Sequence, residues 1–114
     1  MAIMLNFHPQ YKELVLQGKK TTTIRLGDRT DKYIAGEKVI LSIGEKWCLT
    51  KIAEGIIEKA YSKTLEELNQ QDLEGESEDA RTLTGVKETL KKYYRHPMED
   101  GEVITVVKFR ILPS

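Results

Sequence analysis

Gly18-Lys19-Lys20-Thr21-Thr22-Thr23-Ile24-Arg25 puts a helix stop, two ammonium groups, three hydroxyls and a guanidinium into consecutive positions. Upstream, Pro9 opens a short helix whose Tyr11, Leu14 and Val15 share a face, and Gly18 ends it in the left-handed conformation that glycine tolerates. Downstream, Thr21–Leu26 is rich in β-branched residues and reads as a strand. Alternation predicts Thr21, Thr23 and Arg25 on one side, and Thr22, Ile24 and Leu26 on the other, core-facing side. The first side is then a polar strip of hydroxyls and a planar donor fork, suited to a base edge or a phosphate. The stretch is not a phosphate-binding P-loop. Its Lys-Thr pair follows a helix instead of preceding one, and no glycine-rich loop is present.

Working outward, residues 2–7 alternate with Ile3, Leu5 and Phe7 inward, a half-buried strand. Gly27–Lys32 is a polar turn region, Gly36 closes it, and Lys38–Ile43 is a strand. Gly44–Lys46 turns into a long strand, Trp47–Ala60, in which Gly55 marks a bulge. Thr64 with Glu67 forms a capping box for a helix with Leu65 and Leu68 inward. The acidic stretch Asp72–Asp79 interrupts it, and a second helix runs from Thr82 to Arg95 until Pro97. Asp100-Gly101 turns into Val103–Leu112, with Val103, Thr105, Val107, Phe109 and Ile111 on one face. Five strands and three short helices in this order predict an α+β chain, a small, mostly antiparallel barrel with helices at its edge.

The 114 residues fit one domain, 1–114, able to bury roughly two-thirds of its unfolded surface. Hydrophobic content of 39% and charged content of 32% are those of an ordinary globular chain. Net charge is zero, but residues 1–51 carry nine cations against five anions, 52–80 two against nine, and 81–114 seven against four. Phosphate neutralisation normally gives a nucleic-acid binder a clear cationic excess. Here only a local basic patch is available, which favours a small or specific ligand. The single cysteine, Cys48, excludes an internal disulfide. No apolar run approaches the roughly 18 residues of a membrane helix, and no signal-peptide pattern opens the chain. A cytoplasmic protein is expected, with no membrane partner.

The Gly18–Arg25 stretch resembles the signature of the ASCH family, in which a short helix leads into Gly-x-Lys-Thr-x-Thr-x-Arg. The likeness continues through Tyr33-Ile34-Ala35-Gly36-Glu37-Lys38-Val39, through Leu83–Tyr94, and through Val106-Val107-Lys108-Phe109, and so spans nearly the whole chain. The resemblance implies a PUA-like β-barrel and an RNA or modified-nucleoside partner, bound by Lys19, Thr21 and Arg25 in a pocket around Gly18–Arg25. One bacterial branch of that family hydrolyses the N4-acetyl amide of acetylcytidine without a metal, using a lysine, a threonine and a glutamate. By resemblance these correspond to Lys20, Thr23 and Glu74, the last being the best match in the acidic stretch, with Glu76 and Glu78 as alternates. The chemistry is coherent: a lysine with a depressed pKa takes the threonine proton, and the carboxylic acid protonates the departing amine. Ideal alternation aims Lys20 away from Thr23, so this alternative requires a bend at Lys20 or Thr21.

No cofactor and no metal are expected, since His8 and His96 lack companion ligands at metal spacing. His8 reads as a helix-entry residue, Cys48 as a small buried hydrophobe, and Trp47 as partly buried beside its turn. One of Tyr93 and Tyr94 is expected in the core and the other at a pocket edge. Lys87, Lys91, Lys92 and Arg95 read as a solvated helix face.

Overall fold

The computed structural model describes residues 3–45 and 47–113; Ala2 and Lys46, which fall in the predicted first strand and hairpin turn, lie outside them. In chain order the elements are β1 (Ile3–Phe7), α1 (Lys12–Leu16), β2 (Thr22–Leu26), β3 (Lys38–Glu45), β4 (Cys48–Thr64), α2 (Gln70–Leu73), α3 (Leu83–Tyr94) and β5 (Val103–Ile111). Short 3₁₀ turns precede α1, at Pro9–Tyr11, follow β4, at Leu65–Glu67, and precede α3, at Glu78–Ala80. The strands form one five-stranded sheet in the order β1-β3-β4-β5-β2. Three of the four pairings are antiparallel, while β1 and β3 run parallel, so the sheet is mixed.

The sheet curls because β4 is long and bulged. Its first half pairs with β3 and its second half with β5, and Ile52 and Glu58 are each skipped in the register. Each extra residue bends the strand and sharpens its twist. The expected bulge at Gly55 is therefore replaced by two that flank it. Gly55 answers a different need: a Cβ there would stand 2.8 Å from the Arg110 carbonyl oxygen. Curling brings the outer strands, β1 and β2, within side-chain reach of each other, and Arg25 Nη2 on β2 donates to the Asn6 carbonyl on β1 at 2.6 Å. The result is a half-barrel with one open seam.

Two cores follow from the curl. Inside it, Leu5, Phe7, Val39, Leu41, Ile57, Val107 and Phe109 pack with Tyr11 and Val15. On the outer face, Ile24, Ile104 and Val106 pack against Val86 and Leu90 of α3, with Leu65 and Leu73. Thus β5 is buried on both faces, with Val107 and Phe109 inward and Ile104 and Val106 outward; Val103, expected inward, is exposed. The same holds for β2. Ile24 meets the outer core as its alternation predicts, while Thr23 pairs with Val107 and so faces the interior of the curl.

The predicted capping box at Thr64 forms. Glu67 Oε1 accepts from the Thr64 amide at 2.8 Å, although the segment it caps is a single 3₁₀ turn. Thr82 Oγ1 accepts from the Gly85 amide at 3.0 Å and starts α3. Arg95 ends α3 in the left-handed region at φ 61°. No helix among the described residues is long and apolar enough to cross a membrane.

Candidate ligand-binding site

The open seam holds a cavity of about 320 Å³. Its walls are the C-terminal end of β1, the strip Thr23–Arg25 of β2, the end of β3 at Gly44 and Glu45, the Glu76–Ala80 segment, and the inner face of α3. Phe7, Tyr11, Tyr93 and Tyr94 make it aromatic, and Lys20, Thr23, Arg25, Glu76 and Ser77 make it polar.

The chain reaches this geometry by bending at Thr21. The Lys19 and Lys20 amides both donate to the Leu14 carbonyl, at 2.9 and 3.0 Å, which closes α1 beyond Gly18. The Thr21 and Thr22 amides both donate to the Gly75 carbonyl, at 2.8 and 3.1 Å. Two successive amides converge on one acceptor only where the backbone departs from an extended strand. Regular pairing with β5 starts at Thr22. The Lys20 side chain is thereby turned into the cavity, on the side that Thr23 and Arg25 also face.

Lys20 is buried and forms an ion pair with the equally buried carboxylate of Glu76. Its ammonium also donates to the Thr22 carbonyl at 3.1 Å and lies 5.0 Å from the centre of the Tyr11 ring. Burial pushes the Lys20 pKa below its ordinary value; Glu76 opposes this and Arg25 adds to it. Glu76 Oε1 further accepts from the Ser77 amide at 2.9 Å, with Ser77 Oγ 3.2 Å away. Ser77 Oγ lies 2.6 Å from Asp79 Oδ1, and the Tyr11 hydroxyl donates to Asp79 Oδ2 at 2.5 Å. Burial works to raise the Asp79 carboxyl, but the Ser77 and Tyr11 hydrogen bonds and the Lys20 charge outweigh it and hold it below the ordinary range. Burial, followed by the bond to Asp79, pushes the Tyr11 phenol well above its usual pKa. Tyr93 extends the chain, accepting from Gln10 Nε2 at 2.8 Å.

Arg25 stands opposite, over the Phe7 ring at 5.3 Å. Its Nε donates to Thr23 Oγ1 at 3.3 Å and its Nη2 to the Asn6 carbonyl. A guanidinium carries five N–H donors, so the rest are unspent among the described residues.

Of the residues singled out in the sequence, Lys20, Thr23 and Arg25 line the cavity together. Lys19 is exposed outside it, and Thr21 is diverted against Gly75. The carboxylate that meets Lys20 is that of Glu76, not Glu74. Glu74 has an exposed side chain and serves the fold through its carbonyl, which accepts from Thr22 Oγ1 at 2.5 Å and from Lys108 Nζ at 3.1 Å. Lys20 and Thr23 share the cavity without a hydrogen bond between them. Tyr93 and Tyr94 both line it and neither is buried, in contrast to the expected split. His8 accepts from the Gln10 amide through Nδ1 at 3.2 Å, capping the turn before α1. Cys48 and Trp47 are both exposed, against expectation, because they form the tip of the β3–β4 hairpin beyond either core. Ser77 and Asp79 went unread, masked as part of an acidic run. No group of three or more His, Cys, Asp or Glu side chains capable of holding a metal occurs among the described residues.

The ASCH domain of Lactobacillus crispatus JV V101 superposes with a TM-score of 0.68 over 96% of this chain and 79% of that one, at 11% identity. The chain has the ASCH-domain fold. A point mutant of the ASCH protein from Zymomonas mobilis gives a TM-score of 0.63 at 16% identity, covering 94% of this chain and 67% of that one. Protein EF3133 of Enterococcus faecalis V583, from the family DUF984, gives 0.65 at 18% identity, covering 98% and 80%. No family model and no curated protein matches the sequence. The likeness therefore lies in the arrangement of the backbone.

Proposed function

We propose that this ASCH-fold domain binds a nucleobase, of RNA or of a modified nucleoside, in the seam cavity. What carries the reading is the meeting of an unspent guanidinium and a carboxylate in an aromatic-walled cavity. At about 320 Å³ the cavity lies near the lower end of small-molecule sites, room for one base with part of its sugar. Tyr93 and Tyr94, the two cavity tyrosines that are not buried, offer faces for a planar ring. The Arg25 fork offers donors to a carbonyl or ring nitrogen, and Glu76 Oε2, which has no hydrogen-bond partner among the described residues, offers an acceptor to an amino group. The chain's zero net charge fits recognition of a base better than clamping of a phosphate backbone. The cytoplasmic placement suggested by the single cysteine belongs to this reading.

The hydrolytic alternative is less well supported. A general base must reach the proton it removes, and Lys20 is engaged by Glu76 and the Thr22 carbonyl, not by Thr23. The Glu76 charge also favours the ammonium form, which cannot act as a base.

The test is calorimetric titration with cytidine, adenosine, guanosine and uridine and with a short single-stranded RNA, at low and high salt, on wild type and Arg25→Ala. Binding by wild type with a loss of about 10-fold or more in the variant is expected, the loss of a charged hydrogen bond. Absence of binding by a folded wild type overturns the reading. Turnover of N4-acetylcytidine, abolished in Thr23→Ala, would replace it with hydrolysis.

A further inference from the structure

Resting on the nucleobase reading above, we propose that Trp47 is a second base platform. The ligand is then a single strand of at least two nucleotides, not a free nucleoside. Trp47 is the chain's one tryptophan and is 93% exposed. An indole is among the largest apolar surfaces a chain possesses, and one left in water in this way is available for an external partner. Its position is tied to the cavity. Glu45 pairs with Cys48 across the hairpin, and Trp47 stands in the turn between them. Gly44 and Glu45, immediately before that turn, line the cavity. The Trp47 Cα therefore lies within about 7.6 Å of that of Glu45, two Cα–Cα steps.

The root of the hairpin is held in place. Asn6 Nδ2 donates to the Gly44 carbonyl at 2.9 Å, and Ser42 Oγ donates to Asn6 Oδ1 at 3.0 Å. Gly44 has φ 120°, and a Cβ there would stand 2.2 Å from the Cys48 carbonyl oxygen, so only glycine permits this turn. Asn6 itself accepts from Arg25 through its carbonyl, so one β1 residue fixes both the clamp in the cavity and the hairpin outside it.

Charge supplies the second argument. A chain with 18 cations and 18 anions gains little from releasing counterions along a phosphate backbone. Affinity for a strand must then come from its bases, and stacking on an aromatic side chain serves any base. One base in the seam and its neighbour on Trp47 meet that requirement.

The measurement is intrinsic fluorescence, since a single tryptophan reports its own stacking. Wild type, Trp47→Ala and Trp47→Tyr are titrated with the mononucleosides and with the homopolymeric RNA hexamers of A, C and U at fixed salt, binding being followed in parallel by calorimetry. Hexamers are expected to quench Trp47 emission at saturation and mononucleosides to leave it unchanged. Trp47→Ala is expected to weaken hexamer binding by about 5- to 150-fold, the range for one stacked base, with mononucleoside binding unchanged and Trp47→Tyr restoring most of the loss. Hexamer binding equal in wild type and Trp47→Ala, or saturation without a change in emission, overturns the platform while leaving the cavity reading intact. Emission that shifts with protein concentration alone makes Trp47 a contact between copies and also overturns it. Absence of binding by hexamers and mononucleosides alike overturns the cavity reading, and the platform with it.

Discussion

Replacing Glu76 with glutamine would remove one charge from a pair whose side chains are 4% and 3% exposed, and change almost nothing else. The amide oxygen still accepts from Ser77, and Lys20 keeps the Thr22 carbonyl at 3.1 Å. What is left is a buried ammonium without its counter-charge, a situation that costs about 3–5 kcal/mol. The retained carbonyl bond places the expected loss near the lower end, about 3 kcal/mol. With a urea slope of about 1.5 kcal/mol/M, the unfolding midpoint falls by about 2 M. Lys20→Met should cost a similar amount, for it strands the carboxylate. The double variant Lys20→Met/Glu76→Gln should recover most of either loss, because the desolvation of both ions disappears together. The deficit of Glu76→Gln should also shrink as pH rises, since the unpaired lysine, already pushed down by burial, then releases its proton more readily. Urea unfolding of the four proteins at pH 7 and pH 10 completes the cycle. Single-variant losses below about 1 kcal/mol, or a double variant equal to their sum, would refute the pairing argument.

Three further outcomes follow from the same geometry. Lys20 titrates lower in the folded chain than in the unfolded one, so the unfolded state holds more protons between that lowered value and the ordinary value of about 10.4. Stability attributable to Lys20 should therefore rise with pH across that window, seen as the difference between wild type and Lys20→Met in urea unfolding from pH 7 to 10.5. Asp79 is held low, so its contribution is present above its unfolded value of about 3.9 and lost as pH falls through the folded one. Tyr11→Phe removes one donor and should raise the Asp79 pKa, read by carboxyl NMR titration, with a stability loss of about 1 kcal/mol because Asp79 is partly solvated. Gly75→Ala, at φ 86° with its new Cβ 2.3 Å from Thr21 Oγ1, should cost more than Gly18→Ala, at φ 72° with nothing within 4 Å. Gly18→Ala is expected to lose about 1–2 kcal/mol in thermal or urea unfolding, the strain of the left-handed conformation alone.

How far the sequence could be read depended on whether a residue's neighbours were local. The capping box at Thr64 and the helix stop at Gly18 are local devices, and they form where their spacing places them. Strand positions were legible from alternation, but not which faces would be covered. Alternation alone placed Thr23 and Arg25 on a polar strip opposite the core face, because nothing in the sequence says that β2 lies at the edge of a curled sheet, facing its interior. The bulges at Ile52 and Glu58 come from one strand serving two partners, which leaves no mark within β4 itself. In the acidic stretch, Glu74, Glu76 and Glu78 look alike in sequence. The tight left-handed turn at Gly75 turns Glu76 inward and leaves Glu74 outside. Trp47 and Cys48 misled because an apolar residue next to a strand is ordinarily buried, whereas the hairpin carries them past the core.

Arg25 is where fold and site depend on the same atoms. The seam exists because β1 and β2 do not pair, and unpaired edges need a cover. Part of that cover is Nη2 of Arg25, which closes on the Asn6 carbonyl while Nε holds Thr23. The remaining donors are left for a ligand, a division that a planar fork permits and a single ammonium does not. Arg25→Lys preserves the charge and should thus separate the two duties. Either the lysine reaches Asn6, and the seam stays closed while base affinity falls by about 10-fold or more, or it turns to the ligand and stability falls by about 1–2 kcal/mol. Thermal unfolding and calorimetric titration of one variant read both quantities. A lysine variant unchanged in both would mean that charge alone, and not the geometry of the fork, holds the seam and binds the ligand.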